Sequence, residues 1–379
     1  MNLTSKLPDV GTTIFAVMSK MASEHDAINL SQGFPDFPIS EKLIDLVTRY
    51  MKDGKNQYAP MPGVPELRQA LASHYEGRYD LKIDADKEVT ITAGATQAIY
   101  AALTAIVSPG DEVILFDPAY DCYNPTIRLS GGVPVHLTLK QPNFHIDWDE
   151  VEKAITPRTK VIMVNTPHNP SGAILSQDDM LTLQGIAEKH DLIVISDEVY
   201  EHIIFGHNHE SALNYEALRA RTIAIYSFGK TFHATGWKTG YIIAPEALTH
   251  EMRKIHQFLV FSVNTPTQYA LAEYLSDHTS TEGISDMYVK KRDVFQHALR
   301  ASRFDVRPCH GTYFQLLSYQ GISDKSDIEM AEWLTKEHKV ASIPISVFYN
   351  SKEDNKLLRF CFAKNEDTLL QAAEILCRI

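Results

Sequence analysis

Between about residue 85 and residue 270 the chain alternates short runs, apolar on nearly every residue, with longer amphipathic stretches. "EVTIT" precedes "GATQAIYAALTAIV", "DEVILFD" precedes "PAYDCYNPTIRLS", and "TKVIMVNTP" precedes the helical "SQDDMLTLQGIAEKH". "DLIVISDEVY", "TIAIYSF" and "TGYIIAP" follow. A strand without polar alternation has no face to leave in water. Both faces must be covered, and a mostly parallel sheet flanked by helices covers them. The expected class is therefore α/β. Downstream, after the long helical stretch "ISDMYVKKRDVFQHALRAS", the runs "GTYFQLL", "DIEMAEWLTKEH", "VASIPIS" and "LLRFCFA" predict a smaller α+β domain. A chain of 379 residues has room for both. The expected division is an N-terminal arm and part of the small domain over 1–44, a large domain over 45–285, and a small C-terminal domain over 286–379.

Charge narrows the partners. A net charge of −12 repels nucleic-acid phosphates and anionic membranes alike. The opening "MNLTSKLPDVGTTIF" lacks the apolar centre of a signal peptide, and no apolar run is long enough to span a bilayer. Cys122, Cys309, Cys361 and Cys377 are widely spaced, without a CxxC or zinc pattern. The apolar surroundings of Cys361 and Cys377 predict buried thiols, and the cytoplasm is the expected compartment. In "EHIIFGHNHE", His202, His207 and His209 could share a face for a metal. However, "GHNH" after an apolar run reads as a solvated hairpin turn, and no supporting shell is evident, so no metal is expected.

Open parallel sheets take ligands beyond the carboxyl ends of their strands. Thr92 and Thr96 follow the first run, Tyr120 the second, Asn165 and Asn169 the third, Asp197 and Tyr200 the fourth, and Ser227 and Lys230 the fifth. Polar groups thus converge on one edge. "SFGKTFHATGWKTG", residues 227–240, lies there with Lys230 and Lys238 in a loop rich in glycine and hydroxyl residues. Its "GKT" suggests a P-loop, but Ala224 stands where GxxxxGK[ST] requires the first glycine, and a strand precedes it. A dinucleotide fingerprint is also missing, since "TAGATQAIY" keeps one glycine only.

The remaining reading makes Lys230 a carbonyl-reactive amine, which requires an aldehyde partner, a phosphate anchor and a carbanion sink, the equipment of pyridoxal phosphate chemistry. Asp197 can hold a pyridine nitrogen protonated, and Tyr200 and Asn169 can meet the ring oxygen. Ser227, Lys238, Thr96 and the backbone opening "GATQAIYAAL" can collect the phosphate, while Tyr120 can lie on the ring. Each residue also has an ordinary reading: Asp197 as a helix N-cap, Asn169-Pro170 as a turn, Ser227 as a strand-end hydroxyl, Lys238 as a surface charge, Tyr120 and Tyr200 as core. The set, not any member, favours the chemistry. Arg359 interrupts the apolar "LLRFCF", where an unpaired guanidinium is costly. Its partner is either an internal carboxylate or that of a substrate.

"NTPHNPSG", "SDEVY", "SFGKTFHATGWKTGY" and "LLRFCFA" together resemble the pyridoxal-phosphate-dependent class I/II aminotransferases of fold type I, from "INLSQGFPDFP" to the final helix. "SQGFPDF", "NQYAPMPGVPELR", "DPAYDCY" and "ASIPISVFY" are most similar to the branch of kynurenine–oxoglutarate transaminases and methionine aminotransferases. The resemblance implies pyridoxal 5'-phosphate on the large domain. Lys230 is then bonded to its aldehyde and afterwards shuttles the proton, Asp197 sits on the ring nitrogen, and Tyr200 and Asn169 on the ring oxygen. Ala95, Thr96, Ser227 and Lys238 hold the phosphate, and Tyr120 stacks. Tyr58 resembles the tyrosine that reaches the neighbouring subunit's phosphate, which implies a homodimer. Arg359, with Asn169 and the backbone of Gly33, matches the grip on the substrate α-carboxylate. Phe15, Phe34, Tyr120 and Phe261 fall near the substrate side chain on the family pattern, with no second arginine evident. Methionine and aromatic donors are therefore expected ahead of aspartate, with a 2-oxo acid as acceptor in a ping-pong cycle. Lys238 stands where many members carry arginine, so the anchor loses fork geometry. Ser171 replaces a common threonine. Cysteine-conjugate β-lyase activity is the alternative on the same site. A regulator that only senses the cofactor is a further alternative, but no helix-turn-helix or basic N-terminal region is evident.

Overall fold

The six apolar runs between residues 85 and 270 are strands of one sheet, whose seventh strand, Val133–Thr138, was not among them. The computed structural model describes residues 3–277 and 279–379. In chain order the strands are β1 (Ile28–Asn29), β2 (Val89–Thr92), β3 (Glu112–Asp117), β4 (Val133–Thr138), β5 (Thr159–Asn165), β6 (Ile193–Asp197), β7 (Thr222–Ser227) and β8 (Gly240–Ile243). Then come β9 (Asp305–Val306), β10 (Phe314–Ser318), β11 (Val340–Ala341), β12 (Ile343–Pro344) and β13 (Leu357–Cys361). Strands β2 to β8 form a seven-stranded sheet in the order β2-β8-β7-β6-β5-β3-β4. Pairing among β3 to β7 is parallel, whereas β8 runs antiparallel to both β7 and β2. The six other strands therefore end at one edge, and β8 begins there. That reversal brings residues 238–240 to the edge, where Ser227 and Thr92 both have Gly240 as register partner.

Apart from the edge strand β4, which is partly exposed, the sheet is buried on both faces, as its unbroken apolar runs require. Val113 and Leu115 of β3 join a cluster with Ile99, Leu103 and Met252, under the helices Ala95–Ile106 and Glu246–Leu259. Ile114 and Phe116 of the same strand join the opposite cluster, with Leu67, Met180 and Leu183. Each such side chain contributes about 1.5–3 kcal/mol on burial.

The remaining strands form a four-stranded sheet, β12-β13-β10-β9, and a parallel pair, β1 with β11. The pair draws the N-terminal segment onto the C-terminal part, with Ile28 opposite Val340. Backbone bonds from Cys361 N–H to Leu30 O and from Asp36 N–H to Ala363 O, at 2.8 and 3.3 Å, extend the tie. The expected division after residue 44 falls inside the helix Glu41–Lys52, which packs on Thr265–Ser276. The division after residue 285 falls in the first turn of Ile284–Ala298, which packs on Glu366–Leu376.

Three local expectations change. The 227–240 segment contains a helical turn, Phe228–Thr231, and a 3-10 turn, Thr235–Trp237, where a loop was expected. Cys361 is buried, but Cys377 is only half-buried because it caps the last helix near the surface. "GHNH" is not a hairpin: Ile204 bridges to Gly311 and Phe205 N–H bonds to His310 O. His207 is exposed, whereas His209 is drawn into the core, its Nε2 2.9 Å from Glu198 Oε2. Among the described residues no His, Cys, Asp and Glu group has the makings of a metal site, and no helix is long and apolar enough to cross a membrane.

Candidate active site

At the carboxyl edge of the large sheet a cavity collects residues from nearly every strand end. Asp197 is the last residue of β6 and Asn165 the last of β5; Lys230 lies in the turn after β7, and Lys238 just before β8. Ala95, Thr96, Tyr120, Asn169, Tyr200, Ser227, Gly33, Phe15 and Arg359 line the same space. Phe34, Phe261 and Tyr58 do not. Phe34 lies under Lys364, whose Nζ is 4.6 Å from the ring centroid. Tyr58 and Phe261 meet edge to face at 5.4 Å on the outer surface.

Asp197 is buried. The Tyr123 hydroxyl donates to Oδ2 at 2.6 Å and the Val199 N–H to Oδ1 at 3.3 Å, yet burial pushes the carboxyl up to about 6. No cationic side chain reaches ion-pair distance of it among the described residues. Asn165 braces the strand end, donating through Nδ2 to Asp197 O at 2.8 Å and accepting from Asn169 N–H at 2.8 Å. Lys230 has the opposite shift. The cavity walls strip water from its amine and lower it to about 8. Its Nζ donates to Tyr313 Oη at 2.8 Å and approaches Gly33 O at 3.4 Å. If an aldehyde is presented to the protein and the adduct trapped with borohydride, the yield on Lys230 is expected to rise with a midpoint near pH 8, since the neutral amine is the nucleophile. A midpoint near that of a surface lysine, about 10.4, would contradict the environment described.

Next to these two groups is an anion cradle. The helix Ala95–Ile106 starts without a side-chain cap, so its first N–H groups face the cavity with the positive end of the helix dipole. Gly94 precedes it at φ 80°, a conformation that disfavours any side chain. Gly240 allows β8 to close on this turn, because a Cβ there would lie 2.5 Å from Tyr226 O and 3.2 Å from Ala95 N. Lys238, itself left-handed at φ 51°, points its amine at the turn, 3.6 Å from where a Cβ on Gly94 would be. The hydroxyls of Thr96 and Ser227 complete the donors, and Tyr120 lines the same side of the cavity. A phosphate suits this donor set.

Arg359 is fully buried in the middle of β13. Nη1 donates to Asn169 Oδ1 at 2.8 Å, Nη2 donates to Ser31 O at 3.1 Å, and Nε has no partner among the described residues. The rings of Phe314, Phe15 and Phe348 surround the guanidinium at 3.8, 5.2 and 5.7 Å. Of the two partners left open by the sequence, the internal carboxylate is not found within ion-pair distance among the described residues. Sequence reasoning missed Tyr123, Gln32, Tyr313 and Phe314. Tyr123 had a signal in its position just beyond the second apolar run. Tyr313 and Phe314 come from the small sheet, where a rule about the ends of the large sheet's strands does not apply.

The family described as aminotransferase class I and II matches residues 25–376. The methionine aminotransferase of Escherichia coli (strain K12) is 50% identical over 372 residues, covering 98% of this chain and 96% of that protein. Kynurenine–oxoglutarate transaminase 1 of Homo sapiens is 32% identical over 386 residues, covering 92% of each. The crystal structure of Escherichia coli YbdL, identified as having a methionine aminotransferase function, matches with a TM-score of 0.98 at 49% identity over 100% of both chains.

Proposed function

The chain belongs to the class I and II aminotransferases, and from that premise we propose that it takes the amino group from apolar and sulfur-containing L-amino acids, methionine first and aromatic donors next, and passes it to a 2-oxo acid in a ping-pong reaction. It is a transaminase of fold type I, and the cofactor of this class is pyridoxal 5'-phosphate. The residues present suit that cofactor: a desolvated amine, a buried carboxylate lacking a cation and an uncapped helix N-terminus share one cavity.

In this reading Lys230 holds the aldehyde and Asp197 the ring nitrogen. Tyr200 and Asn169 meet the ring oxygen, and Tyr120 covers the ring face. Ala95, Thr96, Ser227 and Lys238 take the phosphate. When bound, the cofactor supplies a ring that accepts the electron pair left behind as the substrate Cα proton leaves. Arg359 grips the α-carboxylate through the N–H groups that its bonds to Asn169 and Ser31 leave unused, with Asn169 and the Gly33 backbone beside it. That grip fixes Cα relative to Lys230, whose Nζ takes the proton. The step needs an amine that is substantially neutral near neutral pH, and desolvation lowers Lys230 towards that range.

One observation carries the donor preference. Among the described residues lining the cavity, the basic groups are Lys230, Lys238 and Arg359, and each already has a part. A side-chain carboxylate would lose its hydration there without a new partner. An apolar side chain gains roughly 25 cal/mol per Å2 covered. The 50% identity to a methionine aminotransferase supports methionine as the leading donor. A panel in which each amino acid is mixed with the cofactor-loaded protein tests it, read as the single-turnover loss of the cofactor absorbance. Methionine and aromatic amino acids should react fastest; aspartate ahead of methionine would overturn the preference.

Phe15 is the probe within that panel. Its carbonyl accepts from Gln32 Nε2 at 2.8 Å and its ring packs on Phe348 at 5.8 Å, which hold it against the cavity. Phe15→Ala is expected to lower kcat/KM for methionine and phenylalanine by roughly tenfold, the loss of about 50 Å2 of apolar cover, and to leave alanine nearly unchanged. Equal losses for all three would make the ring a general packing element.

The reading also includes a homodimer in which Tyr58 reaches the neighbouring subunit's phosphate. The 83% and 87% exposure of Tyr58 and Phe258, with half-exposed Phe261 alongside, supports such a covered outer face. The free thiols support the cytoplasm as compartment. Two domains meeting at the cavity, divided near residues 44 and 285, complete the reading.

A further inference from the structure

Tyr313 stands where Lys230, the N-terminal segment and the small sheet meet. It immediately precedes β10 and is fully buried, its ring edge-on to Tyr200 at 5.2 Å and tilted against Tyr288 at 5.8 Å. Its Oη is 2.6 Å from Gly33 O and 2.8 Å from Lys230 Nζ. A carbonyl oxygen only accepts, so the phenolic O–H donates to Gly33. The remaining lone pair of Oη then faces Lys230, whose amine donates to it. Gly33 O is more distant from Nζ, at 3.4 Å, so the phenol is the nearer partner.

Resting on the reading of Lys230 as the reacting amine, we propose that Tyr313 is a positioning residue: its hydroxyl is the post on which the Lys230 amine rests whenever it is free, and the same hydroxyl ties that post to Gly33, beside the seat of the substrate carboxylate. The surroundings explain why a phenol serves. Asp197 and Tyr200 face the amine from the end of β6, Arg359 and Cys361 from β13, and Lys238 from the start of β8. A lysine butyl chain has several rotatable bonds, and among these groups Asp197 is the one that carries a carboxylate. An ion pair there would hold the amine as ammonium and occupy the acceptor meant for the ring nitrogen. Tyr313 accepts an N–H bond without a charge of its own, because burial pushes its ionisation well above the usual phenol range. The amine is thereby kept in place and free to lose a proton. Gly33 is fixed with it, since a Cβ at that position would lie 2.8 Å from Phe314 Cζ, leaving the segment no room to settle closer.

The test is Tyr313→Phe, which keeps the ring and removes only the hydroxyl. In the cofactor-free protein, pyridoxal 5'-phosphate is added as the aldehyde probe and the borohydride-trapped adduct is mapped across pH. Losing an acceptor disfavours the ammonium form, so the midpoint on Lys230 should move to lower pH by roughly half a unit to one unit. In the loaded enzyme, single-turnover deprotonation of methionine should slow by roughly ten- to a hundredfold, the range for a misplaced reacting group, with a larger α-deuterium isotope effect and a KM changed far less. 3-Fluorotyrosine at position 313 retains the shape and the Gly33 bond but accepts more weakly, and should shift the midpoint in the same direction by less. It keeps the test decisive where the Phe variant does not fold. An adduct on Lys230 with midpoint and single-turnover rate both unchanged overturns the role of Tyr313 alone. An adduct on another residue overturns the reading of Lys230, and the inference with it.

Discussion

Lys230→Ala is expected to reduce turnover to about 10⁻⁴ of the unmodified rate or below, while the protein stays folded and still takes up the cofactor weakly. Two functions disappear together, the covalent hold on the aldehyde and the movement of the Cα proton, and proton transfer by a placed side chain alone is worth about 10²–10⁴-fold. The fold has little reason to suffer. The side chain projects into the cavity, and Tyr313 retains its bond to Gly33 at 2.6 Å without the amine. Residual uptake is expected because the cradle at Gly94–Thr96, Lys238 and the Asp197 carboxylate are untouched. Borohydride reduction of the unmodified protein followed by peptide mapping decides between the two lysines of the segment. The adduct belongs on Lys230, whose amine burial lowers to about 8. Finding it on Lys238 would exchange their roles and turn Lys230 into the phosphate anchor. Lys230→Arg should be as inactive as the alanine variant, because a guanidinium keeps the charge but does not give up its proton near neutral pH.

The parts of this site that were legible in the sequence share one physical signature, a polar group where an apolar run stops. Asp197, Ser227, Asn165 and Lys230 announce themselves because a strand buried on both faces tolerates polarity only at its ends. Arg359 was legible for the opposite reason, as a cation inside such a run. The antiparallel course of β8 was not legible, since "TGYIIAP" is as apolar as its parallel neighbours. Its one trace is that its polar residues, Lys238 and Thr239, come before the strand rather than after it. Tyr313 and Phe314 were invisible because they arrive from the small sheet, and adjacency between two sheets leaves no periodic mark. Phe34 and Phe261 were placed near the substrate by family pattern alone. In this chain Phe34 is claimed by Lys364 and Phe261 by Tyr58, pairings that depend on partners far away in sequence. His209 shows the same limit: its burial is decided by Glu198, on β6's continuation, rather than by the turn in which it sits.

Asp197→Asn is expected to move two measurements in opposite directions. In the cofactor-free protein the carboxylate is a buried charge that, among the described residues, has two hydrogen bonds and no cation within ion-pair distance, and its ionisation is raised from 3.8 to about 6. Between those values the folded state holds a proton that the unfolded state has released, so stability falls as pH rises through that window. The full cost remains above it. That difference corresponds to roughly 3 kcal/mol at neutral pH. The amide carries no charge, so the cost vanishes, less about 1 kcal/mol for hydrogen bonds from Tyr123 and Val199 that an amide meets less well. The cofactor-free variant should therefore be more stable than the unmodified protein at pH 7.5, with the advantage gone by about pH 4, where the folded carboxyl is neutral, the unfolded one about half protonated, and the small cost that is left is offset by the poorer hydrogen bonds of the amide. With cofactor the sign reverses. The amide cannot hold a proton on the ring nitrogen, and breaking a buried charge pair costs about 3–5 kcal/mol, so Cα deprotonation should slow on the order of 10³-fold and the cofactor should bind more weakly. Urea unfolding of the cofactor-free forms at two pH values, together with single-turnover rates of the loaded ones, measures both. A variant destabilised equally at both pH values would make Asp197 a structural acceptor for Tyr123. A variant with near-normal single-turnover rates would remove it from the ring nitrogen. The expected pair of opposite changes is the mark of a charge kept at a cost to the empty protein for the sake of the loaded one.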